Sequence, residues 1–219
     1  MPPLKRGKRS NTDNRTKRMR QRKRGVQRSL KPGTERTNVL KEYINNQSFN
    51  VNANTDHQEL FRKIKNNVKT IRKNDFVKCD DDGSLGGLRY PICLRPNLVN
   101  LCCELVNIDE SELMKEGTAY PYFLKKLNKS DAHQDVDFFV NNRINTAIIY
   151  IKATGNASLR IYETGYTKYT NGEKILLDIR QEAGMVIKFP SHLIHEVIVD
   201  IGEINKESRE MIVMSYHVK

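Results

Sequence analysis

His133 and Asp135 stand two positions apart, His195 follows sixty-two positions after His133, and Arg209 comes fourteen after that. Each sits at the edge of an apolar, β-branched run. Two imidazoles and one carboxylate form the facial set that holds non-haem Fe(II) and leaves coordination positions open. A guanidinium beyond the second histidine is the two-pronged donor that a carboxylate co-substrate requires. In an extended segment, residues i and i+2 project to the same side, so one metal can take His133 and Asp135 from a single strand edge. The set points to an oxygenase using iron and 2-oxoglutarate. An HxD pair alone is also what a polar loop between strands presents.

The other histidines compete less well. His192 precedes Leu193-Ile194, whereas His195 opens the run HEVIVDI, so His192 reads as an exposed loop residue. His57, in the first turn of a predicted helix, and His217, near the chain end, read as structural or solvated.

The elements that must position these residues change character near residue 119. From there, apolar runs (AYPYFL, NTAIIYIKA, ASLRIY, KILLDI, GMVIKF, HEVIVDI, REMIVMSYHV) alternate with polar turns. Val, Ile and Tyr dominate them, which favours strands. Seven or eight strands at this spacing predict an antiparallel sandwich or barrel. Upstream, a helix is expected from Asp56, capped by that residue with Glu59 three positions on. Phe61, Ile64, Val68 and Ile71 form its apolar stripe. A second helix is expected from Pro96 through Leu98, Leu101, Cys102 and Leu105, and a short third from Glu110 to Glu116, ended by Gly117. Residues 37–55, polar and Asn-rich, read as linker or loop. The acidic loop DDDGSLGG at 80–87 lacks the ligand spacing of a calcium loop.

Charge divides the chain sharply. Residues 1–36 carry fourteen Lys/Arg against Asp13 and Glu35, which accounts for the whole formal charge of +12. This arm is too poor in apolar residues to repay its ordering entropy, so it is expected to be disordered when free. Such runs bind phosphate backbones or serve nuclear import; the plainer alternative is a solubilising tail. No apolar h-region follows the basic run, and no run of about 18 apolar residues occurs, so neither a secretion signal nor a membrane helix is expected. Cys79, Cys93, Cys102 and Cys103 form no CxxC pair and read as reduced thiols without chemistry, in keeping with an intracellular setting.

The order of short motifs after the HxD pair is more specific than any one of them. Arg143-Ile-Asn-Thr146-Ala-Ile-Ile-Tyr150 is followed by Gly155-Asn-Ala-Ser-Leu159-Arg-Ile-Tyr162. Then come Gly184-Met-Val-Ile-Lys-Phe189-Pro190, His195-Glu-Val197 and Arg209-Glu-Met-Ile-Val. This series resembles the prolyl-4-hydroxylase-like branch of the iron(II)/2-oxoglutarate-dependent oxygenases, over about residues 119–219. The resemblance implies an α+β, mainly β fold: a double-stranded β-helix (jelly-roll) core at 119–219, linker and supporting helices at 37–118, and the basic arm at 1–36. It implies His133, Asp135 and His195 as iron ligands, and Arg209 as the partner of the distal carboxylate of 2-oxoglutarate. Tyr150 would bind the same carboxylate, and Tyr122 or Phe123 lies where some members place another tyrosine. It implies Fe(II), 2-oxoglutarate, O2 and ascorbate as cofactors, and oxidative decarboxylation of 2-oxoglutarate to succinate coupled to hydroxylation of a protein side chain, prolyl or lysyl by default.

The chain departs from the family pattern in places. Gly155-Asn-Ala replaces paired glycines, tryptophan is absent, and Gly202–Ser208 lengthens the hairpin before Arg209, so that a register slip would let Lys206 compete for its role. Two other functions fit parts of the chain. A viral jelly-roll capsid protein would explain the basic arm and the strands but not the HxD, His195 and Arg209 positions. An AlkB-like nucleic-acid demethylase would carry a second arginine on the last strand, and Met211–Val218 contain none.

Overall fold

The β-branched runs form strands, some buried on both faces and some on one. The computed structural model of the chain describes residues 34–78, 87–115, 121–127, 130–135, 143–163, 175–199 and 209–219. The basic segment 1–33, Cys79, the acidic loop 80–86, Gly117 and the 202–208 hairpin with Lys206 lie outside the described residues. The chain divides into two units, Met1–Arg36 and Thr37–Lys219.

Eleven strands are described: β1 (Phe49–Asn50), β2 (Val77–Lys78), β3 (Leu88–Pro91), β4 (Tyr122–Leu127), β5 (Ser130–His133), β6 (Ile144–Lys152), β7 (Thr154–Tyr162), β8 (Ile175–Glu182), β9 (Met185–Pro190), β10 (His195–Val199) and β11 (Arg209–His217). They form a seven-stranded sheet, ordered β1-β9-β6-β11-β4-β3-β2, and a four-stranded sheet, ordered β5-β10-β7-β8. The last eight strands pair as nested antiparallel partners: β7 with β8, β6 with β9, β5 with β10, and β4 with β11. A two-stranded ribbon wound back and forth between two sheets gives this nesting. It is the jelly-roll, or double-stranded β-helix.

Two apolar layers hold it. Inside the sandwich, Ile148 and Tyr150 of β6, Leu159 and Ile161 of β7, Ile187 and Phe189 of β9, and Met211 and Val213 of β11 pack together. On the outer face of the larger sheet, Ala147, Ile149 and Ile151 of β6 and Ile212 and Met214 of β11 pack under two helices, α2 (Thr55–Lys69) and α3 (Pro96–Val106). β6 is therefore buried on both faces, and its sequence is apolar without alternation. Lys188 of β9 is buried on the helix side, and its Nζ donates to the Val106 carbonyl at the end of α3. A cation there complements the helix dipole, while burial pushes its pKa down.

Several local expectations are corrected. Residues 37–55 are not linker: they hold most of α1 (Thr34–Gln47), strand β1 and a 3-10 turn at Val51–Ala53. α1 forms because Ile44, 0% exposed, enters the sandwich interior with Leu40 and Tyr43 against it. The next helix begins at Thr55, and Asn54, not Asp56, caps it by accepting from the Asp56 and His57 backbone N–H groups. α3 starts at Pro96, as its sequence predicts. The expected third helix is only a 3-10 turn, Glu110–Glu112, with a capping box between Asp109 and Glu112. β2 and β3 extend the larger sheet beyond β4, so the segment before residue 119 supplies strands as well as helices. Cys102 and Cys103 are buried free thiols, and burial raises both pKa values, Cys103 to about 11, which keeps them unreactive.

Gly184 makes the β8–β9 turn at φ +88°, where an L side chain is strained. Its N–H donates to the Tyr150 carbonyl at 2.8 Å, and its carbonyl accepts from Val51 N–H at 2.9 Å. A Cβ there would meet Val51 Cγ2 at 2.8 Å. Gly184→Ala is therefore expected to cost about 2 kcal/mol or more. Chemical denaturation checks this by a lower midpoint at unchanged slope.

Candidate metal centre

The nested pairing brings strand ends that are distant in sequence to one end of the sandwich. His133 ends β5, His195 opens β10, and the two are direct cross-strand partners. Their rings lie 4.3 Å apart between centroids. Asp135 follows β5 by two residues, and its backbone N–H donates to the Ser191 carbonyl at 3.1 Å. Its Oδ2 accepts from Thr146 Oγ1 at 2.5 Å, and that hydroxyl also lies 2.8 Å from Ser191 Oγ. With Oδ2 held from behind, Oδ1 is presented forward, 3.7 Å from Nε2 of His133 and 3.7 Å from Nε2 of His195. One ligand atom from each of the three residues lies within 4.8 Å of the others. Adjacent ligands on a six-coordinate ion at bonds of about 2.1 Å sit about 3 Å apart, so small side-chain adjustments close the set on one ion.

The second coordination layer fits a metal as well. His195 Nδ1 lies 3.1 Å from the Leu193 carbonyl, which can accept only if Nδ1 carries the proton. Nε2 is then left as the lone-pair donor. Burial pushes the His195 pKa down, with the Asp135 carboxylate opposing, so the imidazole is neutral and ready to ligate. Phe189 packs edge-on against its ring at 4.8 Å. Exposure is graded: the side chain of His195 is 6% exposed and that of His133 35%, so the centre opens on the His133 side.

A second polar group lies further down the inward face. Thr146, Ile148 and Tyr150 share that face of β6, with Thr146 at the Asp135 end and Tyr150 four residues, about 13 Å, along the strand. Tyr150 is opposite Met211 on β11, two residues from Arg209. Arg209 is 4% exposed, and burial pushes its pKa down to about 10, with Tyr150 opposing. Burial raises the Tyr150 pKa, and the Arg209 guanidinium opposes this. The structure thus brings His133, Asp135 and His195 together, and Tyr150 and Arg209 together. Tyr122 stands opposite Val213, midway between the Ser215–Thr146 and Met211–Tyr150 pairs, on the inward face. The Arg89 guanidinium stacks on its ring at 4.3 Å. Phe123 faces the helix side and leaves Tyr122 as the inward residue of that pair.

His192 lies in the turn after β9, outside the ligand cluster. His57 stacks on Phe49 at 4.7 Å, and His217 is exposed at the end of β11. Gln181 went unmarked in the sequence. Arg209 Nη1 donates to its Oε1 at 2.6 Å, and the residue is fully buried. The signal was the alternation Leu177, Ile179, Gln181, flanked by the charged Asp178, Arg180 and Glu182.

Among solved structures, the chain is similar to a Pseudomonas putida prolyl-4-hydroxylase, 12% identical over 74% of this chain and 87% of that one, with a TM-score of 0.45. It is similar to HygX from Streptomyces hygroscopicus, solved with nickel and 2-oxoglutarate bound, 13% identical over 73% of this chain and 78% of that one, with a TM-score of 0.47. A third similar structure is SnoN, a non-heme alpha ketoglutarate dependent epimerase from nogalamycin biosynthesis, 12% identical over 73% and 70% of the two chains, with a TM-score of 0.44. No protein-family model and no curated protein sequence matches the chain. The strand pairing itself carries the jelly-roll assignment.

Proposed function

We propose that this chain is an Fe(II)- and 2-oxoglutarate-dependent dioxygenase that hydroxylates a protein side chain of prolyl or lysyl type. One observation carries the reading. The Asp135 carboxylate faces two imidazole Nε2 atoms at 3.7 Å each, in the sandwich whose interior also holds Arg209 and Tyr150. When bound, the metal and 2-oxoglutarate supply an oxygen-derived oxidant, and 2-oxoglutarate leaves as succinate and CO2.

Each site residue has a task in this reading. His133, Asp135 and His195 hold the metal on one face, leaving positions for the 2-oxo acid and O2. Leu193 fixes the His195 tautomer, and Thr146 fixes the Asp135 rotamer. Arg209 and Tyr150 bind the distal carboxylate, and Tyr122 lies between them and the ligands on the inward face. Ile148, Leu159 and Phe189 form the apolar surroundings, which strengthen the polar contacts made among them. The substrate side chain enters from the half-exposed His133 side.

The basic segment 1–36 supplies nucleic-acid association or nuclear import, and an intracellular location goes with it. Its charge, segregated from a body with equal numbers of acidic and basic side chains, favours a protein substrate that is itself bound to nucleic acid. No helix among the described residues is long and apolar enough to cross a membrane.

The test is succinate release from 2-oxoglutarate with Fe(II), O2 and ascorbate. Turnover is expected, stimulated by a substrate peptide; absence of turnover contradicts the proposal, and stimulation by a methylated oligonucleotide instead would favour demethylation. Removing residues 1–33, which leaves α1 intact, is expected to abolish retention on nucleic acid while basal succinate release persists. Loss of turnover in that variant contradicts the division of labour.

A further inference from the structure

Hydrogen-bonding capacity remains unused beside Arg209. Gln181 closes the inward face of β8 and is 0% exposed. Its side chain accepts from Arg209 Nη1 at 2.6 Å. A guanidinium only donates, so the amide oxygen must be the atom that faces it. The amide nitrogen and its two hydrogens take no part in that bond. Among the described residues, Nε2 is buried without a partner, and so is the Tyr150 hydroxyl. Tyr150 and Arg209 interact electrostatically, so all three groups belong to one neighbourhood. It lies inside the apolar layer that contains Leu159, Ile161 and Met211. Buried donors are nearly always paired in folded proteins, and each orphan is costly. Two orphaned donors around one buried guanidinium match a ligand that brings several acceptor oxygens and negative charge.

We propose that Gln181 is a binding and specificity residue for the co-substrate: its Nε2 donates to the distal carboxylate of 2-oxoglutarate, and its Oε1 orients the Arg209 guanidinium toward the same group. This rests on the co-substrate reading above. The amide serves both roles because it is neutral and two-faced. A glutamate there would keep the acceptor for Arg209, lose the donor, and set a second negative charge against the incoming carboxylate. A leucine would keep the volume and lose both bonds. The residue therefore favours 2-oxo acids that carry a second carboxylate over those that lack one.

The experiment is calorimetric titration of the full chain loaded with Mn(II), with 2-oxoglutarate and, separately, with pyruvate, which has no distal carboxylate. Gln181→Glu is expected to weaken 2-oxoglutarate binding about a hundredfold, and Gln181→Leu about tenfold, in line with losing bonds to a charged group. Pyruvate and Mn(II) binding stay within twofold of native in both. Should the charged variant fail to fold, the leucine variant carries the test alone. Native-like 2-oxoglutarate binding in the variants that fold overturns this proposal and leaves the co-substrate reading standing. An equal loss for pyruvate and 2-oxoglutarate overturns it too, because a packing role produces that result. A native chain that binds Mn(II) but not 2-oxoglutarate overturns the co-substrate reading and this proposal together.

Discussion

His195→Ala is expected to lose Fe(II) binding by more than about a hundredfold and to give no measurable succinate. Outer partners of metal ligands already cost 10- to 100-fold when removed, so a ligand itself costs more. His195 is also the most buried of the three proposed ligands. Its Nδ1 is tied to the Leu193 carbonyl and its ring packs edge-on against Phe189, so its position is fixed. The vacated volume is small beside the interior apolar layer, and the fold is expected to survive with a loss of about 2 kcal/mol. Metal titration by calorimetry and thermal melting of the metal-free chain separate the two effects. Native-like metal affinity in the variant would show that the ion, if bound, sits elsewhere.

Arg209→Met is expected to act at the other end of β6. Removing one member of a buried charge pair costs about 2 to 5 kcal/mol, or from about thirtyfold to several thousandfold in affinity. The loss should fall on 2-oxoglutarate, leaving Fe(II) binding intact, because Arg209 lies well down the inward face from the ligands. Stability should behave differently from affinity. Burial holds the folded-state pKa of Arg209 down at about 10, so the charged form is disfavoured by folding. That cost is fully present below pH 10 and fades as pH rises above it. Removing the charge relieves it, while the substitution leaves the Gln181 Oε1 without this donor. The metal-loaded variant alone is therefore expected to melt close to native, yet 2-oxoglutarate should no longer raise its melting temperature. A native-sized ligand-induced rise would contradict the assignment of Arg209.

The end of the fold that carries His133, Asp135 and His195 was legible in the sequence because its physics is local. β6 and β11 are buried on both faces, so they are written as unbroken apolar runs. His133, Asp135 and His195 are polar residues at the edges of such runs. The rest depends on partners. α1 carries few apolar residues, Leu40, Tyr43 and Ile44, toward the interior, and its Asn-rich end (Asn45-Asn46-Gln47) disguises it as loop. The sandwich, not the segment's own propensity, makes it helical. β2 and β3 are two and four residues long and exist as additions to β4. Gln181 was missed because β8 reads as ending at Ile179, where the apolar run stops. The strand continues to Glu182, paired with Thr154, and this carries the glutamine inside.

The most direct measurement of the central claim is an anaerobic titration of the native chain with Fe(II) and then 2-oxoglutarate, followed by visible absorption. Chelation of a 2-oxo acid to Fe(II) produces a charge-transfer band. The band is expected to require both additions, to saturate at one equivalent of each, and to be absent from His195→Ala. A native chain that gives no band, or a band that survives removal of His195, would contradict it.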